Sequence, residues 1–194
     1  MFKKTLLSLV VLGLVLAAGT ASAQYCNGTI VPDNDCDSGN RAYSTSCCPR
    51  GYRAQGVAYN DMAGSDEADA ISPICRHVSK GNDMMPTDFQ TQPVQHLCDK
   101  TEVMSGIACK DMPKKGAQAD DLDGCTAICY NPKTKQERML YSADLEGNRS
   151  RQYVTHKIDL PNRIFGIAYK DRDRGSSDVA DCATIVYRYE PIVK

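Results

Sequence analysis

The chain has no tryptophan, few aromatic residues and almost no net charge, and each shortage narrows what it can be. Aromatics make up 7 % of 194 residues, and the formal net charge is -1. Such a balance leaves no general basic surface for phosphate contacts, so nucleic acid is not an expected partner. With 42 % hydrophobic residues the chain is also not an acidic disordered one. Metal-type CxxC pairs are missing; the nearest spacings are the adjacent Cys47 and Cys48, and Cys125 with Cys129, which disfavours zinc. There is no G-x-S-x-G elbow, and His77, His96 and His156 lack the spacing of metal ligands. Long amphipathic helical patterns are absent too, which points to an all-β fold.

What is present begins with an export signal. Lys3 and Lys4 precede an apolar run from Leu6 to Ala18, and Ala21-Ser22-Ala23 has the small-residue form of a cleavage site. The run is too short for a lasting transmembrane anchor, and no later run approaches that length. Residues 1–23 are therefore read as a signal peptide, with the mature chain starting at Gln24 in a secreted or periplasmic location. Ten cysteines in an oxidising space imply a disulfide framework.

Three internal repeats organise the rest. Gly56-Val-Ala-Tyr-Asn-Asp61 recurs as Gly106-Ile-Ala-Cys-Lys-Asp111 and Gly166-Ile-Ala-Tyr-Lys-Asp171. An acidic block follows each time: Asp66-Glu-Ala-Asp69, Asp120-Asp-Leu-Asp123 and Asp178-Val-Ala-Asp181. A third block closes each repeat, as Ile71–Cys75, Cys125–Cys129 and Ala183–Tyr187. Each unit reads as strand, acidic loop, strand. Val57 and Tyr59 share one face of the opening strand, with Ala58 and Asn60 on the other. Ser72 and Ile74 share a face of the closing strand, as do Thr126 with Ile128 and Thr184 with Val186. The expected architecture is three sheets around a pseudo-threefold axis, with repeat cores at about 48–78, 98–130 and 158–190 of one domain spanning 47–194. Residues 24–46 read as a loop-rich strap held by Cys26 and Cys36. Connecting strands are expected in 80–95 and 131–156.

Aligning the repeats constrains the disulfides. Cys48 and Cys98 each lie eight residues before the repeat glycine, where the third repeat has Ile158. Cys75 and Cys129 close the first two repeats, where the third has Tyr187. The joint loss predicts Cys48–Cys75 and Cys98–Cys129 bridges. Cys109 and Cys125 occur only in the second repeat and are predicted to pair across its strands. Cys26, Cys36, Cys47 and Cys182 then pair among themselves, with three connectivities open. Joining Cys182 to the strap would close the ring of repeats.

The repeated aspartates are the candidate site residues: Asp61, Asp66 and Asp69, then Asp111, Asp120 and Asp123, then Asp171, Asp178 and Asp181. Carboxylates are ligands for calcium and acceptors for sugar hydroxyls, so calcium or a glycan is a possible occupant of each unit. The alternating spacing and terminal Glu of an EF-hand are missing. The same residues also suit turn capping, through bonds to backbone amides. Glycoside hydrolysis needs two carboxylates facing one bond, and the motifs supply many acids without singling out a pair. No catalytic residue or obligatory cofactor is assigned.

The run Cys48-Pro-Arg-Gly-Tyr-Arg-Ala-Gln-Gly56, followed by a polar loop and Asp66-Glu-Ala-Asp-Ala-Ile-Ser-Pro-Ile-Cys75, resembles the vitelline membrane outer layer protein I family. The resemblance covers about residues 47–190, though this chain departs from it in having no tryptophan. It implies a β-prism of three Greek-key sheets and a secreted, coat-type or carbohydrate-associated protein. The function expected is a non-catalytic one, presenting three similar acidic loops to glycan or envelope material. A carbohydrate-active enzyme, glycosidase or transglycosylase, is the alternative. A structural or protein-binding secreted protein is the third class.

Overall fold

A computed structural model of the chain describes residues 26–32, 43–61, 68–87, 89, 91–111, 122–142, 145, 152–174 and 177–190. The proposed signal peptide and Cys36 lie outside these residues. Twelve strands are described: β1 (Thr29–Ile30), β2 (Ser44–Cys47), β3 (Tyr52–Asp61), β4 (Ala68–His77), β5 (Asp83–Met84) and β6 (Val94–Leu97) lead into β7 (Val103–Asp111), β8 (Leu122–Asn131), β9 (Gln136–Met139), β10 (Val154–Lys157), β11 (Asn162–Arg174) and β12 (Ser177–Tyr189). No helix among the described residues is long and apolar enough to cross a membrane.

The strands form three four-stranded sheets, ordered β5-β4-β3-β6, β10-β7-β8-β9 and β1-β12-β11-β2. Each centres on one repeat hairpin. In the first two sheets the fourth strand in sequence returns beside the first, which is the Greek-key order. The third sheet has the same order only if the chain is read as a circle, because β1 and β2 come from the N-terminal end. Three sheets packed on a shared apolar axis make the fold a β-prism. The segment read as a strap thus supplies two strands of the third sheet, and a boundary at residue 47 would cut through that sheet.

One edge strand of each sheet leads into the next hairpin. β6 pairs with β3 and continues to β7; β10 pairs with β7 and continues to β11; β2 pairs with β11 and continues to β3. Backbone bonds at the crossings repeat this pattern. Cys98 N–H donates to the Gln55 carbonyl, Ile158 N–H to Ser105 and Cys48 N–H to Phe165.

The acceptors of those bonds are bulged residues. The β3/β4 register runs from Ala54↔Cys75 to Gly56↔Ile74, which leaves Gln55 as the extra residue. Ser105 and Phe165 occupy the matching bulges. A bulge sharpens strand twist and bends the ladder, helping each sheet curl around the axis. The glycine after each bulge lies hard against the edge strand. A Cβ on Gly56, Gly106 or Gly166 would meet the carbonyl oxygen of His96, His156 or Ser46 at 2.3, 2.4 or 2.6 Å. The repeated glycine is therefore set by backbone approach.

The axial core is layered by the repeats. Val57, Ile107 and Ile167 form one buried set, and Ala54, Met104 and Ile164 form another nearer one end. Complete burial of such a side chain contributes about 1.5–3 kcal/mol. The opposite faces of the closing strands are buried as well. Their hydroxyls remain bonded: Thr126 donates to the Leu140 carbonyl at 3.0 Å, and Thr184 to the Val31 carbonyl at 2.8 Å. The apolar segment at Met139–Tyr141 is only partly inward, since Leu140 packs on the core while Met139 and Tyr141 are exposed.

Bridges join Cys26 to Cys47, Cys48 to Cys75, Cys98 to Cys129 and Cys109 to Cys125. Cys182 is also disulfide-bonded. Cys48–Cys75 ties the exit of β2 to β4, and Cys98–Cys129 ties the exit of β6 to β8, so two of the seams between sheets are covalent. The third seam has Ile158 at the matching place, packed against the core. Cys109 and Cys125 face each other directly across the β7/β8 ladder. Because backbone closes on the repeat glycine, Gly106→Ala is expected to lower unfolding free energy by about 1–3 kcal/mol, as overpacking does. Urea denaturation of the oxidised protein measures this.

Candidate functional site

The two ends of the prism differ, and the sequence-predicted aspartates that are described lie toward one of them. Asp61, Asp111 and Asp171 hold equivalent ladder positions opposite Ala68, Leu122 and Ala180. The register shift beside each leaves Asp69, Asp123 and Asp181 as the extra residue of a second bulge. These three are therefore strand residues rather than members of an acidic loop. Asp178 pairs with Asp173 in the longer third hairpin. Asp66 and Asp120 lie outside the described residues. Asp123 has a described side chain, and it is buried. The structure thus brings one aspartate pair together on each hairpin by backbone register.

Beside these positions the hairpins carry buried polar residues that motif reading missed. Lys110 donates from Nζ to the Leu145 carbonyl at 2.6 Å and sits over the Tyr153 ring at 4.4 Å. Lys170 holds the matching place over the Tyr43 ring at 4.9 Å. In the first repeat Asn60 stands there instead and accepts from Thr91 at 2.6 Å. The shared position after the repeat tyrosine or cysteine was the available signal.

At the opposite end, roughly 20 Å along the strands from those aspartates, a cleft of about 440 Å³ opens on the axis. The starts of β3, β7 and β11 converge there. Ala54, Met104 and Ile164 line it as an apolar floor, and Arg53, Val103 and Arg163, one place earlier in each repeat, stand beside it. Arg76, the His77–Gly81 turn and the turn bearing Lys100 complete the wall.

Both turns are held firmly. His77 Nδ1 accepts from the backbone N–H of Ser79 at 3.2 Å and of Lys80 at 3.1 Å, while Gly81 N–H donates to the His77 carbonyl. Gln55 donates its amide to the Asp99 and Glu102 carbonyls at 3.1 and 2.7 Å, clamping the turn that bears Lys100. Glu102 accepts the Asp99 N–H at 3.0 Å and takes a two-pronged bond from Arg138 at 2.8 and 2.9 Å. A site built on such turns loses little freedom when a ligand enters.

The electrostatics are one-sided. Arg53, Arg76, Lys80, Lys100 and Arg163 line the cleft, against the single carboxylate of Glu102 among the described lining. Arg138 holds the Glu102 carboxyl below the usual carboxylate range, outweighing the opposite effect of burial. Burial, then the like charge of Arg53, lowers the Arg163 guanidinium from its ordinary value, while Glu190 opposes them. Arg163 remains a cation at physiological pH. Glu102 also lies beside Cys98 and Cys129, but those sulfurs are joined to each other and are not thiolate ligands for a metal.

Because its pKa is lowered on folding, Glu102 stabilises the native state above the unfolded carboxylate value and loses that contribution as pH falls through the folded one. Glu102→Gln is expected to cost about 1 kcal/mol at pH 7, a modest value because Arg138 is half exposed. The difference from the parent protein should shrink below about pH 4.5, the ordinary value for a glutamate carboxyl. Denaturation midpoints measured from pH 3 to pH 7 check both statements.

No family model matches the chain, and no curated protein does. Among solved structures it is similar to the crystal structure of Calystegia sepium agglutinin, with a TM-score of 0.49 and 15 % identity, over 84 % of this chain and 97 % of that one. The description of this chain as a β-prism rests on its own three sheet ladders.

Proposed function

We propose that the protein is an exported, non-catalytic carbohydrate-binding protein that associates with envelope or cell-surface material through its axial cleft. The observation that carries this reading is the cleft's build: an open volume of about 440 Å³ with an apolar floor and a rim of donors. Sugars offer an apolar ring face and a girdle of hydroxyls, and pockets that orient a ligand use few, well-placed polar groups. The floor suits the ring face, and Ser79, Lys80 and Lys100 suit the hydroxyls. Disulfides across the sheet seams fit an oxidising compartment. Glycosidase chemistry is not favoured by a lining whose described acid, Glu102, is bound by Arg138, since one carboxyl must stay protonated to act as general acid.

The Cys48–Cys75 and Cys98–Cys129 bridges, made between Greek-key units, support extending the reading to a vitelline membrane outer layer protein I-like protein. A glycan array probed with the oxidised protein is expected to give binding that Ser79→Trp abolishes by filling the cleft, with the melting temperature moved by only a few degrees. Binding lost instead on joint Asp69, Asp123 and Asp181→Asn substitution, with Ser79→Trp still binding, overturns the cleft assignment. Release of new reducing ends from bound oligosaccharide overturns the non-catalytic one.

A further inference from the structure

The cleft's charges can be assigned one by one. Arg76 is spent on Asp83 through a two-pronged bond at 2.7 and 3.0 Å, and Arg53 meets Glu190 at 2.8 Å. Glu102 is neutralised by Arg138, which does not line the cleft. Lys80, Lys100 and Arg163 have no carboxylate partner among the described residues, so three positive charges face one cleft in a chain whose net charge is -1. Arg163 donates to the carbonyls of Asn162 at 3.0 Å and Pro161 at 3.5 Å, and the charge of Glu190 also favours its cationic form without an ion pair between them.

Two further observations concern the guanidinium groups at this end of the axis. Arg53 Nε and Arg76 Nη1 are buried nitrogens with no hydrogen-bond partner. Buried donors of this kind are rare, and Glu190 Oε2, charge-paired with Arg53, is likewise a buried acceptor without a hydrogen bond. Arg53 and Arg163 also hold equivalent positions in two repeats, where the remaining repeat has Val103. The pseudo-symmetry therefore sets two guanidinium groups at one end of the axis, with Arg53 bearing on the charge of Arg163.

We infer that the axial cleft selects an acidic saccharide, taking a carboxylate or a sulfate or phosphate ester of the sugar between Arg53 and Arg163, with Lys80 and Lys100 at the mouth. This rests on the carbohydrate reading above and adds the charge of the sugar. An oxyanion there relieves the repulsion between like charges and accepts from Arg donors in fork geometry. The rigid turns bearing Lys80 and Lys100 present their charges without a large ordering cost. A nucleic acid strand is the less suitable polyanion, because it draws on a track of phosphate contacts, and these cations are gathered in one pocket.

Titration calorimetry on the oxidised protein tests this with five probes: an oligogalacturonate, its carboxyl-reduced form, a sulfated oligosaccharide, inorganic phosphate and single-stranded DNA. At least one acidic oligosaccharide is expected to bind. Its affinity should fall tenfold or more in a Lys80→Gln, Lys100→Gln double variant, and fall several-fold between 0.05 and 0.5 M salt. The two lysines are exposed, so this variant is not expected to disturb the core; Arg163→Gln should lose binding and Arg163→Lys retain part of it. If the carboxyl-reduced oligomer binds as tightly as either acidic one, the anion inference falls and the carbohydrate reading stands. Binding of phosphate with no saccharide bound overturns the carbohydrate reading and this inference with it. DNA bound more tightly than both acidic oligosaccharides, or no binding by any acidic probe, also overturns the inference.

Discussion

The closure of three curved sheets onto one axis depends on a backbone contact: in each sheet one edge strand, β2, β6 or β10, presses its carbonyl against the repeat glycine of the hairpin beside it. At Gly56, Gly106 and Gly166 there is no room for a Cβ between the strands. The bulge just before each glycine bends the ladder and turns a carbonyl toward the chain leaving that edge strand. Strands β2, β6 and β10 each complete one sheet and then lead into the next, so closure is shared among the three units. The N-terminal strands complete the last sheet, and the Cys26–Cys47 bridge joins the two segments that do so.

That closure gives the prism two unlike ends. Toward the hairpin tips, register gathers one aspartate pair per hairpin, and buried Lys110 and Lys170 lie over tyrosine rings. At the other end the strand starts splay around the axis, and the floor of Ala54, Met104 and Ile164 stays open above. Exact threefold repetition would place three like residues there. Divergence of the repeats places Arg53, Val103 and Arg163 instead, which makes the cleft both cationic and accessible.

Much of the framework was legible because it is local or repeated. The hexapeptides led by Gly56, Gly106 and Gly166 marked the opening strands, and the face occupied by Val57 and Tyr59 is the one that packs in the core. The Cys48–Cys75 and Cys98–Cys129 pairs were legible because both members change together, to Ile158 and Tyr187, in the third repeat. The two short strands β1 and β2 were not legible: they are brief and polar, and only pairing with distant β12 and β11 makes them strands. The aspartates drew notice as a repeated pattern, yet Asp69, Asp123 and Asp181 are bulge residues, a distinction that register decides.

The amino-acid order by itself determined the three units, the two long strands of each and the Cys48–Cys75, Cys98–Cys129 and Cys109–Cys125 pairs, because period-two patterning and repetition are written along the chain. It did not announce the cleft. Arg53 and Arg163 lie in different repeats, their motifs are ordinary strand starts, and Lys80 and Lys100 sit in turns that resemble any solvated loop. Only the closing of the sheets brings these charges to one end of the axis, where they line a single cleft and Arg53 bears on the charge of Arg163.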